Sequence, residues 1–444
     1  MRRVLLISLA ACAGLRAQTV PQATDLPSHP FFIKGTWYIG GAGTWDYLTM
    51  DPQADRLYIA HGTTVQVVDV NTGALVGTID GFYEARQVVL DDNGELGYIS
   101  DGGQGKVTVF DRQTLKKTAE IDTGANPRSM VYDPLTKLLF VVRANPPAEA
   151  RADAQVAQPS RRRPPAHEGA PAEAHTESKV TIIDTQTESA IGEISLPGLL
   201  GFAVGDDDDD VYISVTDRNA VYRFDAQAVA ALVRGQLEGG PNVETAANPG
   251  TGAGNGMDAG SSAGAGTAKE AEPWVALDWT GGAGDNARRD NPAEGHLSLF
   301  SLSPECADPT SLAMDNEHMR LFAACANRRL VVVNAVDGSK VTALPIGPGV
   351  DAVGYDRERG MIFTANGGAE GSMTIIRQDV TDTYAVIQTL PTRQRAGELA
   401  VDAETGSVFS VTDYLGVPLD KPGGIGTLEQ TPVQGSFQVL EIAN

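Results

Sequence analysis

Basic residues are in the minority. The chain sets 34 Lys and Arg against 57 Asp and Glu, a formal charge of −23 over 444 residues. That imbalance argues against nucleic acid or an anionic membrane surface as partner, because like charges repel. Histidine is scarce too: His29, His61, His167, His175, His296 and His318 are the full complement. Only His167 and His175 lie close in sequence, in a stretch of loop-like composition, so no His-based zinc or copper site is expected. There is no Gly-x-Ser-x-Gly elbow and no glycine loop ending in Lys-Ser/Thr, which removes two common catalytic signatures. No cofactor and no metal is expected.

Cysteine is nearly absent, with Cys12, Cys306 and Cys325 the only three. Cys12 falls in the apolar run Val4 to Ala13, which follows Arg2 and Arg3 and precedes Ala17. This is the layout of an export signal spanning 1–17, and the run is too short to cross a bilayer. Leu9-Ala10-Ala11-Cys12 also fits a lipoprotein box, in which case a lipid on Cys12 would tether the protein to the envelope. Either route predicts a periplasmic, extracellular or lipid-anchored protein. In an oxidising compartment the remaining pair, Cys306 and Cys325, is expected to form a disulfide. Cys306 precedes one strand-like run and Cys325 ends the next, so an antiparallel pair brings them to one edge. The alternative is two separate buried thiols.

What the chain has is repetition. An Asp closes one strand-like run and an aromatic opens the next at Asp51/Tyr58, Asp91/Tyr98, Asp133/Phe140, Asp206/Tyr212, Asp315/Phe322, Asp356/Phe363 and Asp402/Phe409. A fixed spacing recurring about every 40 residues marks a repeat architecture. Each unit carries four short runs, with Pro, Asn or Gly in the turns, and the third run is β-branched, as in Val65 to Asp69 and Val107 to Asp111. Seven such units predict an all-β fold, a seven-bladed β-propeller over 31–444. The last unit lacks a fourth run, while Ile33 to Gly40 has no unit of its own. The N-terminal run is therefore expected to close the last blade. The repeated Asp reads as a turn cap and the aromatic as core.

Two low-complexity insertions break the repeat, at 146–178 in the third unit and 226–295 in the fourth. The first includes Arg161-Arg162-Arg163-Pro164-Pro165. The second opens on a helical run from Ala226 to Leu237 and continues through Gly/Ala/Ser-rich sequence, neither composition suiting a packed core. Trp274 and Trp279 stand out there, and are expected to dock on the propeller or to meet a partner. The acidic run 206–210 lacks the spacing of a calcium loop and is expected to be a solvated turn.

The residues Leu57-Tyr58-Ile59-Ala60, Val67 to Gly73 and Val107 to Asp111, with their Asp-Pro turns, resemble YVTN-type β-propeller repeats. Trp45-Asp46-Tyr47-Leu48, Leu344 to Gly347, Gly349 to Val353, and Cys306 with Leu321-Phe322 and Cys325 are similar to exported bacterial seven-bladed members. The resemblance covers about residues 33–444 outside the insertions. It implies the fold and an exported location but no particular reaction. Members often carry His or acidic residues where Arg86 and Arg128 stand here, so a shared ligand does not transfer.

Aligned at the first residue of the inner strand, the units read Asp46, Arg86, Arg128, Gly201, Thr310, Asp351 and Gly397. Inner strands line a propeller's channel, so this variable position should ring one mouth. Tyr83, Glu84, Asn126 and Arg395 join it from loops. The expected ligand-binding set is Asp46, Arg86, Arg128, Thr310, Asp351 and Arg395, with Asp46 holding Arg86 and leaving Arg128 for an anionic group. The expected function is non-enzymatic binding of a small molecule or protein on the loop-rich face by a monomer. The alternative is a lactonase-like hydrolase in which Asp46 and Asp351 hold a channel metal, a reading the two Arg oppose.

Overall fold

The computed structural model describes residues 29–41, 43–143, 177–239, 275–278, 296–380, 382–416 and 431–444. Seven antiparallel sheets form the blades of a β-propeller, with inner strands Trp45–Asp51, Ala85–Leu90, Pro127–Asp133, Leu200–Gly205, Pro309–Asp315, Val350–Asp356 and Leu399–Asp402. The blades follow one another around the ring in chain order, and the first inner strand also meets the seventh.

The repeat is explained by two local devices. Each repeated Asp accepts backbone N–H bonds from the turn that follows it, as Asp51 does from Ala54 (3.2 Å), Asp356 from Glu358 (3.0 Å) and Asp402 from Glu404 (3.0 Å). The carboxylate replaces partners the turn backbone would otherwise lack. Seven residues on, or six in the fourth blade, the aromatic enters the second strand and is sealed between neighbouring blades. Tyr58, Tyr98, Phe140, Tyr212, Phe322, Phe363 and Phe409 are all fully buried. One buried ion pair also joins blades: Arg112 Nη2 lies 2.7 Å from Asp51 Oδ2 and its Nη1 3.4 Å from Asp91 Oδ1.

The N-terminal strand Phe32–Tyr38 pairs antiparallel with Gln438–Ala443 and completes the seventh blade. Phe31 fixes its start: the Gln388 side chain accepts from Phe31 N–H (2.9 Å) and donates to Phe31 O (2.7 Å). The Phe31 ring meets Phe363 edge-on at 5.3 Å. The first and last of the described strands are thus held in one sheet. Cys306 and Cys325 are bridged, with Cα atoms 5.4 Å apart.

Three details differ from the sequence reading. The third strand of the third blade begins at Glu177, so Glu177 and Ser178 pair within the sheet, while the rest of 146–178 lies outside the described residues. Val275–Asp278 adds a fifth, parallel strand to the third blade's outer strand. This strand was not expected, because a four-residue strand inside a Gly/Ala-rich stretch has too little periodicity to register. Trp274 and Trp279, which flank it, are outside the described residues, as are 1–17 and Cys12. The third difference is in the acidic turn: Asp206 and Asp210 are buried rather than solvated. Asp206 accepts from the N–H groups of Asp208, Asp209 and Asp210, and Asp210 pairs with Arg223 at 2.5 Å.

Candidate site at the channel mouth

The inner strands enter the mouth through a repeated irregularity. In six blades the pairing with the second strand slips by one residue near its start, between Trp45 and Leu48, Ala85 and Val88, Pro127 and Met130, Leu200 and Ala203, Pro309 and Ser311, and Val350 and Ala352. A bulge sets two successive residues against one partner and re-aims both. In the seventh blade pairing starts only at Leu399, so Gly397 and Glu398 precede the ladder. The mouth therefore has two positions per blade, not the single ring expected from sequence.

The second position is Tyr47, Gln87, Ser129, Phe202, Ser311, Ala352 and Glu398. Some of these stitch blade to blade. Gln87 Oε1 accepts from Met130 N–H (2.6 Å), Ser129 Oγ from Ala203 N–H (2.9 Å) and Ser311 Oγ from Val353 N–H (3.2 Å). Tyr47 and Phe202, from the first and fourth blades, reach across the channel and meet edge-to-face with centroids 5.1 Å apart. The mouth is consequently a cup with an aromatic floor.

Of the expected residues, Asp46, Arg86, Arg128 and Asp351 come together. Arg86 Nη1 donates to Asp46 Oδ2 at 2.8 Å and its Nη2 pairs with Glu84. Among the described residues no hydrogen bond or ion pair holds the Arg128 guanidinium. Burial works against its charge, but Tyr47, Asp46, Glu84 and Glu398 outweigh burial and hold its pKa above the ordinary value.

Thr310 and Arg395 serve elsewhere. The Thr310 hydroxyl lies 3.2 Å from the carbonyls of both Ala324 and Val350 and so fastens two blades. Arg395 pairs with Asp413 at 2.9 Å and lies over the Trp45 ring at 4.5 Å, a rim position between the seventh and first blades. Thr310 was placed in the ring by alignment, which cannot tell a backbone-bound hydroxyl from a free one, and Arg395 as a neighbour from a connecting loop.

Glu398 is the residue the single-ring frame missed; Gly397 occupies its place in that alignment. Burial, then the charges of Asp46 and Asp351, raise the Glu398 carboxyl well above its ordinary range, with Arg128 opposing. Asp351 is exposed towards the channel, yet the surrounding walls displace bulk solvent. That desolvation, followed by the Asp46 charge, pushes it up to about 6. A Cβ on Gly397 would sit 2.3 Å from Asp351 Oδ2, so glycine there makes room for the carboxylate. Tyr47 is raised as well, by burial and then by Asp46.

Among the described residues, one group of three acids converges closely enough for a cation, and it is Asp206, Asp209 and Asp210 of the acidic turn, not the mouth carboxylates. On the face opposite the mouth, a groove of about 540 Å³ runs over Asp207, Asn316, Tyr355 and Arg357.

No protein-family model matches this chain, and no curated protein matches it. Solved structures do. The structure of U3-55K superposes with a TM-score of 0.56 at 7% identity, covering 91% of this chain and 97% of that one. The RRP9 WD40 repeats give 0.56 at 7% identity, covering 91% and 96%. A chain of the mitotic checkpoint complex gives 0.54 at 11%, covering 92% and 95%. At these identities the similarity is one of fold: the chain is a seven-bladed β-propeller.

Proposed function

We propose that this is an exported, non-enzymatic propeller of the YVTN type that binds a small molecule in the cup at the channel mouth. One observation carries the reading: Arg128 faces the cup with no paired partner among the described residues, while its neighbour Arg86 is tied to Asp46 and Glu84. A desolvated cation without a fixed counter-group is what a binding site keeps and a purely structural network uses up. Concave sites also combine apolar walls with a few convergent polar groups, and here Tyr47 and Phe202 supply the floor. Export is supported by the N-terminal apolar run behind Arg2 and Arg3 and by the Cys306–Cys325 disulfide, a bond that persists in oxidising compartments.

The test is a thermal-shift screen of metabolite-sized compounds on the mature chain and on Arg128→Ala. Compounds that raise the melting temperature of the native chain should fail to do so in the variant. A hit that stabilises both equally places binding outside the cup.

A further inference from the structure

The mouth holds more acids than bases. Arg86 and Arg128 share it with Asp46, Glu84, Asp351 and Glu398, and Arg86 is already paired with two of the acids. This changes what the free guanidinium can accept. A simple anion approaching Arg128 would also approach Glu398 and Asp351. A simple cation drawn to those carboxylates would meet Arg128. Either ligand satisfies one side of the cup and is repelled by the other.

We infer, resting on the mouth being the binding site, that the ligand is a small zwitterion of the amino-acid type, its carboxylate on Arg128 and its ammonium between Asp351 and Glu398. The placement follows from the fold. Arg128 comes from the third blade, whereas Asp351 and Glu398 come from the sixth and seventh, so the opposite charges stand on different sides of the channel. Asp351 lies against Gly397, which sets its carboxylate beside Glu398 on the acidic side. Planar guanidinium suits bidentate carboxylate recognition, and paired carboxylates suit an ammonium. Between them Tyr47 and Phe202 offer an apolar surface for a side chain.

Isothermal titration of the mature chain with the standard L-amino acids tests this, each against its decarboxylated amine and its deaminated acid. L-phenylalanine, phenethylamine and 3-phenylpropanoate are one such set. At least one amino acid should bind more than about tenfold tighter than both of its singly charged counterparts. Arg128→Gln should reduce that amino acid to the affinity of its amine, and Asp351→Asn or Glu398→Gln should reduce it towards that of its acid. Melting curves check that the variants remain folded. If an amine or an acid binds as tightly as its amino acid, or if no amino acid binds, the inference is wrong. The underlying site survives that result if another compound binds and is lost in Arg128→Ala. It falls too if a bound compound is indifferent to Arg128.

Discussion

Arg86 reaches across the seam between the second and first blades to hold Asp46 at 2.8 Å. The bond divides two arginines that sit at the same position of adjacent blades into different roles. Arg86 is structural, while Arg128 is left facing the cup. Arg86→Ala should therefore lower stability by roughly 1–2 kcal/mol, since Asp46 would be left among other carboxylates. Arg128→Ala should cost less than Arg86→Ala, because it breaks no hydrogen bond or ion pair and loses only the longer-range attraction of the mouth carboxylates. Urea denaturation of both variants measures this, and a larger loss for Arg128→Ala would reverse the assignment.

Ring closure rests on the N-terminal strand. A chain beginning at Trp45 would lose the partner of Gln438–Ala443 and the Phe31 contacts with Gln388 and Phe363. It would also expose an unpaired strand edge. Its melting temperature should fall well below that of a chain that keeps residues 29–44. Equal melting temperatures would show that the ring holds without its closing strand.

The Cys306–Cys325 bridge closes a loop with a sequence separation of 19. Removing it by Cys306→Ser with Cys325→Ser should cost about 3 kcal/mol on a chain-entropy estimate. Chemical denaturation gives the figure. Mass spectrometry of protein made in an oxidising compartment should find no free thiol at either position.

The crowded mouth carboxylates make a pH signature. Asp351 ionises at about 6 in the fold against an ordinary value of 3.8, and Glu398 is raised in the same sense. For a carboxyl raised by folding, the destabilising contribution is absent below the ordinary value, grows between the two values, and is complete above the upper one. Asp351→Asn should thus raise the melting temperature at pH 7.5 and leave it unchanged near pH 3.5. A variant that melts lower at pH 7.5 would mean that ionised Asp351 has a stabilising partner.

Much of the fold was legible in the sequence, because its determinants repeat. An Asp that caps a turn and an aromatic that fills a seam recur in every blade, and Ile33 to Gly40 stood out as a strand without a unit. The cup was legible only in part. Asp46, Arg86, Arg128 and Asp351 were found by aligning inner strands. A bulge leaves no composition signal, however, so Glu398 and the Tyr47–Phe202 floor, one residue further on, were invisible. Thr310 and Arg395 were included for the converse reason: their backbone and rim partners come from strands and loops distant in sequence.

Hydrogen–deuterium exchange on the protein, with and without a saturating hit from the thermal-shift screen, locates the bound ligand. Exchange should slow only in segments 45–48, 84–88, 127–130, 351–353 and 397–399, and this protection should be lost in Arg128→Ala. Protection instead over the turns 206–209, 315–318 and 356–359 would place the ligand in the groove on the opposite face and contradict the assignment of the cup.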